Sequence, residues 1–187
     1  MVKIKLKANT HFYPMPMTLI GTHDGTKANF TAIAWITRAN YQPPLVTVTV
    51  NKNHYTAQLI EKNKQFSINV PSKDLVVETD FCGITKGSKE DKSKLFEVFY
   101  GEYEFAPMIK ECPINMECLL IQVVELPSNN LYIAEIMNAY SEDHFLTDNK
   151  PDITKIQPFS LTMPDNNYWL VGESIGKAWS IGKELKE

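Results

Sequence analysis

The sequence predicts a mainly β domain in which short strands close, fully or in part, into a barrel carrying small helices. Three observations predict this. Strand-like runs joined by tight turns fill the first half, a long hairpin fills the second, and the helical stretches between them are short. No G-x-G-x-x-G links a strand to a helix, so a doubly wound dinucleotide fold finds no support.

The elements follow in order. "MTLIGTH" (17–23) alternates with a period near two and runs into Asp24-Gly25, a strong hairpin signal. "ANFTAIAWITR" (28–38) reads as the return strand. Its first eight residues, 28–35, have no polar face: Ala28, Phe30, Ala32 and Ala34 share one parity, and Asn29, Thr31, Ile33 and Trp35 the other. Both faces must therefore be covered, and the small residues leave room for something lying close. Pro43-Pro44 breaks the chain before the β-branched strand "LVTVTVN" (45–51). "HYTAQLIEKN" (54–63) spaces Tyr55, Leu59 and Ile60 as a short helix, and "QFSINV" (65–70) is a strand closed by Pro71. "KDLVVETDFCGI" (73–84) has helical spacing, and "TKGSKEDKSKLF" is a polar loop running into another short helix. "PINMECLLIQVVEL" (113–126) and "LYIAEIMNAYS" (131–141) flank "PSNN" as a second hairpin. The tail carries aromatics at 168, 169 and 179 among glycines and ends as a short helix or coil, with Trp169 and Trp179 expected as core or interface anchors.

Length and composition bound the function. A chain of 187 residues that is 43% hydrophobic forms one domain, residues 1–187, burying roughly 70% of its unfolded surface. Net charge is −3, with 19 basic and 22 acidic residues well mixed, which argues against nucleic acid as a partner. Nothing is long and apolar enough to span a bilayer, and the basic N-terminus runs into no apolar signal region, which favours the cytoplasm. Cys82, Cys112 and Cys118 read as buried reduced thiols. The four histidines are scattered, so no metal site is expected. No nucleophile elbow surrounds Ser160 or Ser174, and no catalytic side chain is assigned.

Three segments could hold a ligand. A strand ends at Asn51, and Lys52, Asn53, His54 and Thr56 crowd the turn into a helix, where unpaired N–H groups and a helix dipole suit a phosphate; the alternative is an ordinary capped helix with a solvated lysine. In "CGITKGSKEDK" (82–92), Gly83 and Gly87 allow close backbone approach beside Thr85, Ser88 and lysines. On the 28–35 strand, small alanines with Asn29 and Thr31 leave space for something flat, or for a packed neighbouring element. The strand face together with the phosphate site at the end of the neighbouring strand would suit a phosphorylated planar cofactor.

The string "ANFTAIAW…PPLVTVTVNKNHYTAQLIEKNKQFSINVPS", followed by "DFCGITKGSKEDK", "ECPINMEC" and "LVGESIGKAWSIGK", resembles the flavin reductase-like, flavoredoxin-type family of FMN-binding split barrels, from about Met15 to Gly182. The resemblance implies a six-stranded antiparallel Greek-key barrel, a homodimer, and FMN near the subunit interface. Carried onto this sequence, it implies that Asn29, Phe30, Thr31 and Ala32 meet the flavin ring mainly through backbone groups. It places Asn51, Lys52, His54 and Thr56 at the phosphate, with Cys82, Gly83, Thr85 and Gly87 along the ring or ribityl chain and Lys92 at the periphery. The sequence departs from the family pattern at Thr85-Lys86-Gly87, where serine is followed directly by glycine. The implied activity is an FMN-dependent oxidoreductase fed by NADH or NADPH. The alternative is a flavoredoxin-type carrier exchanging electrons with a redox protein.

Overall fold

A computed structural model describes residues 1–185. Seven strands form its main antiparallel sheet: β1 (Thr18–His23), β2 (Ala28–Ile33), β3 (Ile36–Asn40), β4 (Leu45–Asn51), β5 (Gln65–Val70), β6 (Ile114–Glu125) and β7 (Asn129–Ser141). Their order is β2-β1-β5-β6-β7-β4-β3. The two outermost strands are consecutive in the chain, so the ladder closes through covalent continuity rather than through a last row of hydrogen bonds. Counting 28–40 as one bent strand gives the six-stranded split barrel that the resemblance implies.

The bend corrects one expectation, since 28–38 is not a single strand. Its first half pairs with β1 and its second with β4. Between them the Ile36 N–H donates to the Ala34 carbonyl at 3.1 Å, a three-residue turn, and Thr49 N–H bonds the Trp35 carbonyl at 2.9 Å. Both halves are extended, the first buried and the second exposed, and they differ in their pairing partner.

Side-chain parity sorts the interior into two cores. Ile20, Ile33, Val46, Val48, Val50, Phe66, Ile68, Cys118, Tyr132 and Ala134 point into the barrel, with Ala57 and Ile60 of helix α1 (Tyr55–Asn63) added at one end. On the other face of β1 and β2, Leu19, Ala28 and Phe30 pack with Cys82, Phe96, Ile109 and Cys112. Phe30 and Phe96 meet edge to face with centroids 5.4 Å apart. Helix α2 (Val76–Ile84) covers this second face, and a Cβ built on its Gly83 would sit 3.4 Å from Ala32 Cβ. The small residues of 28–35 are thus where α2 lies close. The 73–84 segment starts as a 3-10 turn, Lys73–Leu75, before α2, and the later short helix is the 3-10 turn Lys92–Leu95.

All three cysteines are free and buried. The hairpin β6–β7 forms where expected, with irregularities after Ile133 and Ile136. A small sheet joins Met15–Pro16, Phe159–Thr162 and Asn167–Leu170, and Tyr168 OH bonds Asp80 on α2 at 2.7 Å. Beyond Leu170 the described chain makes no further strand and ends in the 3-10 turn Ile181–Leu185. Trp169 and Trp179 are exposed, so neither anchors the core of its own chain. Among the described residues no helix is long and apolar enough to cross a membrane, and no cluster of ligand side chains could hold a metal.

Candidate functional site

A cleft of about 420 Å³ opens between the start of α1, the loop following α2 and Thr31 of β2. That volume lies in the range of cofactor sites. Three chain segments far apart in sequence meet here because β4 delivers α1, and α2 packs on β2.

The floor is a buried polar chain. Asn29 Nδ2 donates to Thr22 Oγ1 and Thr56 Oγ1, each at 3.1 Å, and the hydroxyls of Thr31 and Thr56 lie 2.6 Å apart. Between those two hydroxyls there are two protons and one bond. One of the two protons is therefore not used between them. Asn29 Oδ1 is buried with no partner. β2 is an edge strand on this side, so its outward backbone groups carry no strand neighbour.

One wall is the start of α1. A helix leaves its first N–H groups unpaired, and here His54 stands at the cap position without a capping hydrogen bond from its side chain. Tyr55, Thr56 and Gln58 line the cleft beside His54. The Ala57 N–H is taken by the His54 carbonyl at 3.1 Å, and the dipole of the helix start favours a negative group.

The opposite wall is the 83–88 loop, held by a buried lysine. Lys92 is 2% exposed, and its Nζ donates to the carbonyls of Cys82 at 2.9 Å and Thr85 at 3.0 Å. These are terminal carbonyls of α2, so the ammonium caps the helix and meets its negative end. Burial pulls the Lys92 pKa below its ordinary value. The Thr85 hydroxyl donates to the Phe81 carbonyl at 2.6 Å, extending the same cap. Gly87 lies directly on the floor, where a Cβ would overlap Asn29 Oδ1. Among the described residues lining the cleft there are two lysines, Lys86 and Lys92, and no carboxylate, in a chain of net charge −3.

The structure thus gathers Thr31, His54, Thr56, Gly83, Thr85, Gly87 and Lys92 around one cleft, with Asn29 beneath. It does not gather the others. Lys52 points away, 3.5 Å from Glu125, and Asn51 Oδ1 accepts from the Asn53 N–H at 3.0 Å. The side chains of Phe30 and Cys82 belong to the second core, where burial raises the Cys82 thiol to about 11. Only backbone groups of these two residues remain for a ligand, and the Cys82 carbonyl is already engaged by Lys92. Ala32 is half-buried under Gly83. Tyr55, Gln58 and Ile84 line the cleft without having been singled out. Their signal was the phase of each helix, fixed only once a buried face is chosen.

Residues 10–154 match the flavin reductase like domain. The chain belongs to that family. As a flavin reductase-like protein it is 50% identical to the flavoredoxin of Methanosarcina acetivorans, with TM-score 0.96 over 99% of this chain and 100% of that one. The flavoredoxin of Desulfovibrio vulgaris (Miyazaki F) is 35% identical, with TM-score 0.91 over 97% and 100% of the two chains. An uncharacterised protein of Archaeoglobus fulgidus is 30% identical over 145 residues, 76% of this flavin reductase-like chain and 81% of its own length.

Proposed function

We propose that the cleft binds FMN and that the protein is a flavoprotein oxidoreductase. One observation carries the reading: a helix start without a side-chain cap faces a glycine-bearing loop with Lys86, across a floor of Thr31 and Thr56 hydroxyls, with no lining carboxylate among the described residues. That combination suits a ligand with one anionic end and one flat, hydrogen-bonding end. The residues present fit such a group. The start of α1, with His54 and the Thr31–Thr56 hydroxyl pair, would hold the phosphate. The edge of β2 at Asn29–Ala32 and the loop at Gly83, Thr85 and Gly87 would border the ring and ribityl chain.

FMN, when bound, supplies hydride acceptance and electron release in one or two steps, chemistry that belongs to the cofactor. The chain's own residues bind and orient. Lys92 fixes the loop backbone through two carbonyls, Gly87 brings that backbone onto the floor, and the helix dipole fixes the anionic end. No protein acid or base is required, consistent with the absence of a nucleophile constellation in the sequence.

Two electron routes follow. NADH or NADPH could supply the hydride, as in a reductase. The identities of 50% and 35% to flavoredoxins favour the second route, in which a redox protein exchanges electrons with bound flavin. The protein acts as a homodimer in this reading and operates in the cytoplasm. The visible spectrum of the purified protein tests the cofactor, and a colourless protein that takes up no added FMN refutes it. Anaerobic stopped-flow mixing separates the routes: rapid bleaching by micromolar NADH or NADPH identifies a reductase, and reduction only by a redox protein identifies a carrier.

A further inference from the structure

One stretch of backbone hangs on the barrel by side chains alone. Val98–Phe99 pairs with Met108–Ile109, and residues 100–107 join the two. Beneath them lies a polar row. Gln65, Ser67 and Asn69 alternate along β5, and Asn115 and Glu117 along β6, with Ser67 beside Glu117 and Asn69 beside Asn115. Ser67, Asn69, Asn115 and Glu117 are all buried. Glu117 Oε1 accepts from the Tyr103 N–H at 2.9 Å and Oε2 from the Glu102 N–H at 3.3 Å. Gln65 Oε1 accepts from the Phe105 N–H at 3.2 Å, and the Ser67 hydroxyl donates to the Pro107 carbonyl. Asn69 Oδ1 accepts from the Ile109 N–H at 3.0 Å, and Asn115 Nδ2 donates to the Ile109 carbonyl at 2.7 Å. Among the described residues, no backbone-to-backbone hydrogen bond joins 100–107 to the main sheet.

This attachment is uneven. Residues 106–109 are buried, whereas 100–105 are exposed or half-buried. The stem is therefore held by apolar burial, and the tip by three N–H groups, two of which end on one carboxylate. A segment with little buried apolar area and hydrogen bonds near solvent opens at low cost. Gly101 lets the tip lie close, since a Cβ there would overlap the Glu117 carboxylate and the Tyr140 hydroxyl. The titratable groups around Glu117 are Glu102 and Tyr103 on the tip and Tyr140 on β7. Glu104 adds a second acid to the tip, and His23 of β1 meets the rings of Tyr100 and Phe105 edge to face, with centroids 6.0 and 6.1 Å apart. The tip carries two acids and no base, so the ionised Glu117 holds it through N–H groups and not through opposite charge.

We infer that residues 100–105 are a flap that opens as a unit while the barrel stays folded, with Glu117 as the latch that protonation releases. The inference is independent of the cleft and of any flavin. Its sign follows from the donors. Burial raises the Glu117 pKa, but the N–H groups of Glu102 and Tyr103 with Asn138 and Tyr140 outweigh it and hold the carboxyl below 4.5. The latch is thus closed at neutral pH and lets go as pH falls through that lowered value.

Amide hydrogen exchange of the full chain by NMR, corrected for intrinsic rates, tests this. Protection at Glu102 and Tyr103 is expected to fall tenfold or more on acidification from about pH 6 to about pH 3.5, while Ile68 and Tyr132 in the barrel strands keep theirs. Glu117→Gln is expected to lower tip protection already at neutral pH and to abolish its pH dependence. Tyr140→Phe leaves the tip's own bonds in place and removes one donor to the carboxylate, so release should move to higher pH. Tip and barrel amides losing protection together would overturn the separate flap. Unchanged tip protection in Glu117→Gln would overturn the latch. Should that variant fail to fold, Tyr140→Phe decides alone, and an unshifted release contradicts the inference.

Discussion

Lys92 shows how one residue sets the shape of a site without facing outward. Each of its hydrogen bonds joins a charge to a helix carbonyl, and such bonds are worth about 1.5–3 kcal/mol. Lys92→Met keeps the stem and removes both bonds, and is expected to cost about 3–6 kcal/mol in urea unfolding and to weaken FMN binding by at least tenfold. Wild-type affinity would mean that the loop holds itself. Gly87→Ala is expected to be nearly as damaging to flavin titrations, because its methyl would have to displace Asn29 or the loop. Lys52→Ala should change affinity by less than about 1 kcal/mol, the scale of an exposed ion pair, since the side chain engages Glu125. Legibility at this scale was uneven. Asn29, Thr31, Thr56 and Gly87 could be read because polar residues in an apolar strand, a hydroxyl in the first turn of a helix, or glycine in a polar loop need a reason. Lys92 was read as a peripheral contact, since nothing local distinguishes a lysine folded beneath a helix end from one in water.

Among the elements, β6 and β7 carry a feature unconnected with the cleft. Glu117 is buried on β6 and accepts from the N–H groups of Tyr103 and Glu102, from Asn138 Nδ2 and from Tyr140 OH, at 2.9 to 3.3 Å. Burial alone would raise its pKa, but these donors outweigh it and hold the carboxyl below its ordinary 4.5. The folded state therefore binds this proton less readily than the unfolded chain. Its stabilising contribution is complete above pH 4.5 and is lost as pH falls through the lowered folded-state pKa. Urea midpoints measured across acid pH should fall over that interval, and Glu117→Gln should flatten the fall; an identical slope in the variant would remove Glu117 from the account. Most elements were legible in the sequence because β-branched runs, Asp-Gly and proline punctuate them sharply. The division of 28–40 was not, since pairing partners are a property of the sheet rather than of the strand.

For the whole molecule, the expected assembly is a dimer near twice 21.3 kDa by light scattering. A monomer that still retains FMN tightly would place the entire binding determinant in one chain. The barrel order was legible only through resemblance, because alternation reveals that strands exist and not which ones meet. The elbow at Ala34–Trp35 has a last consequence. Because a single stretch of chain supplies both flanks of the sheet, straightening it would not release one border but two at once, each able to recruit strands from other molecules. Clumping on mild destabilisation should thus respond to substitutions at this hinge far more than to equal losses elsewhere.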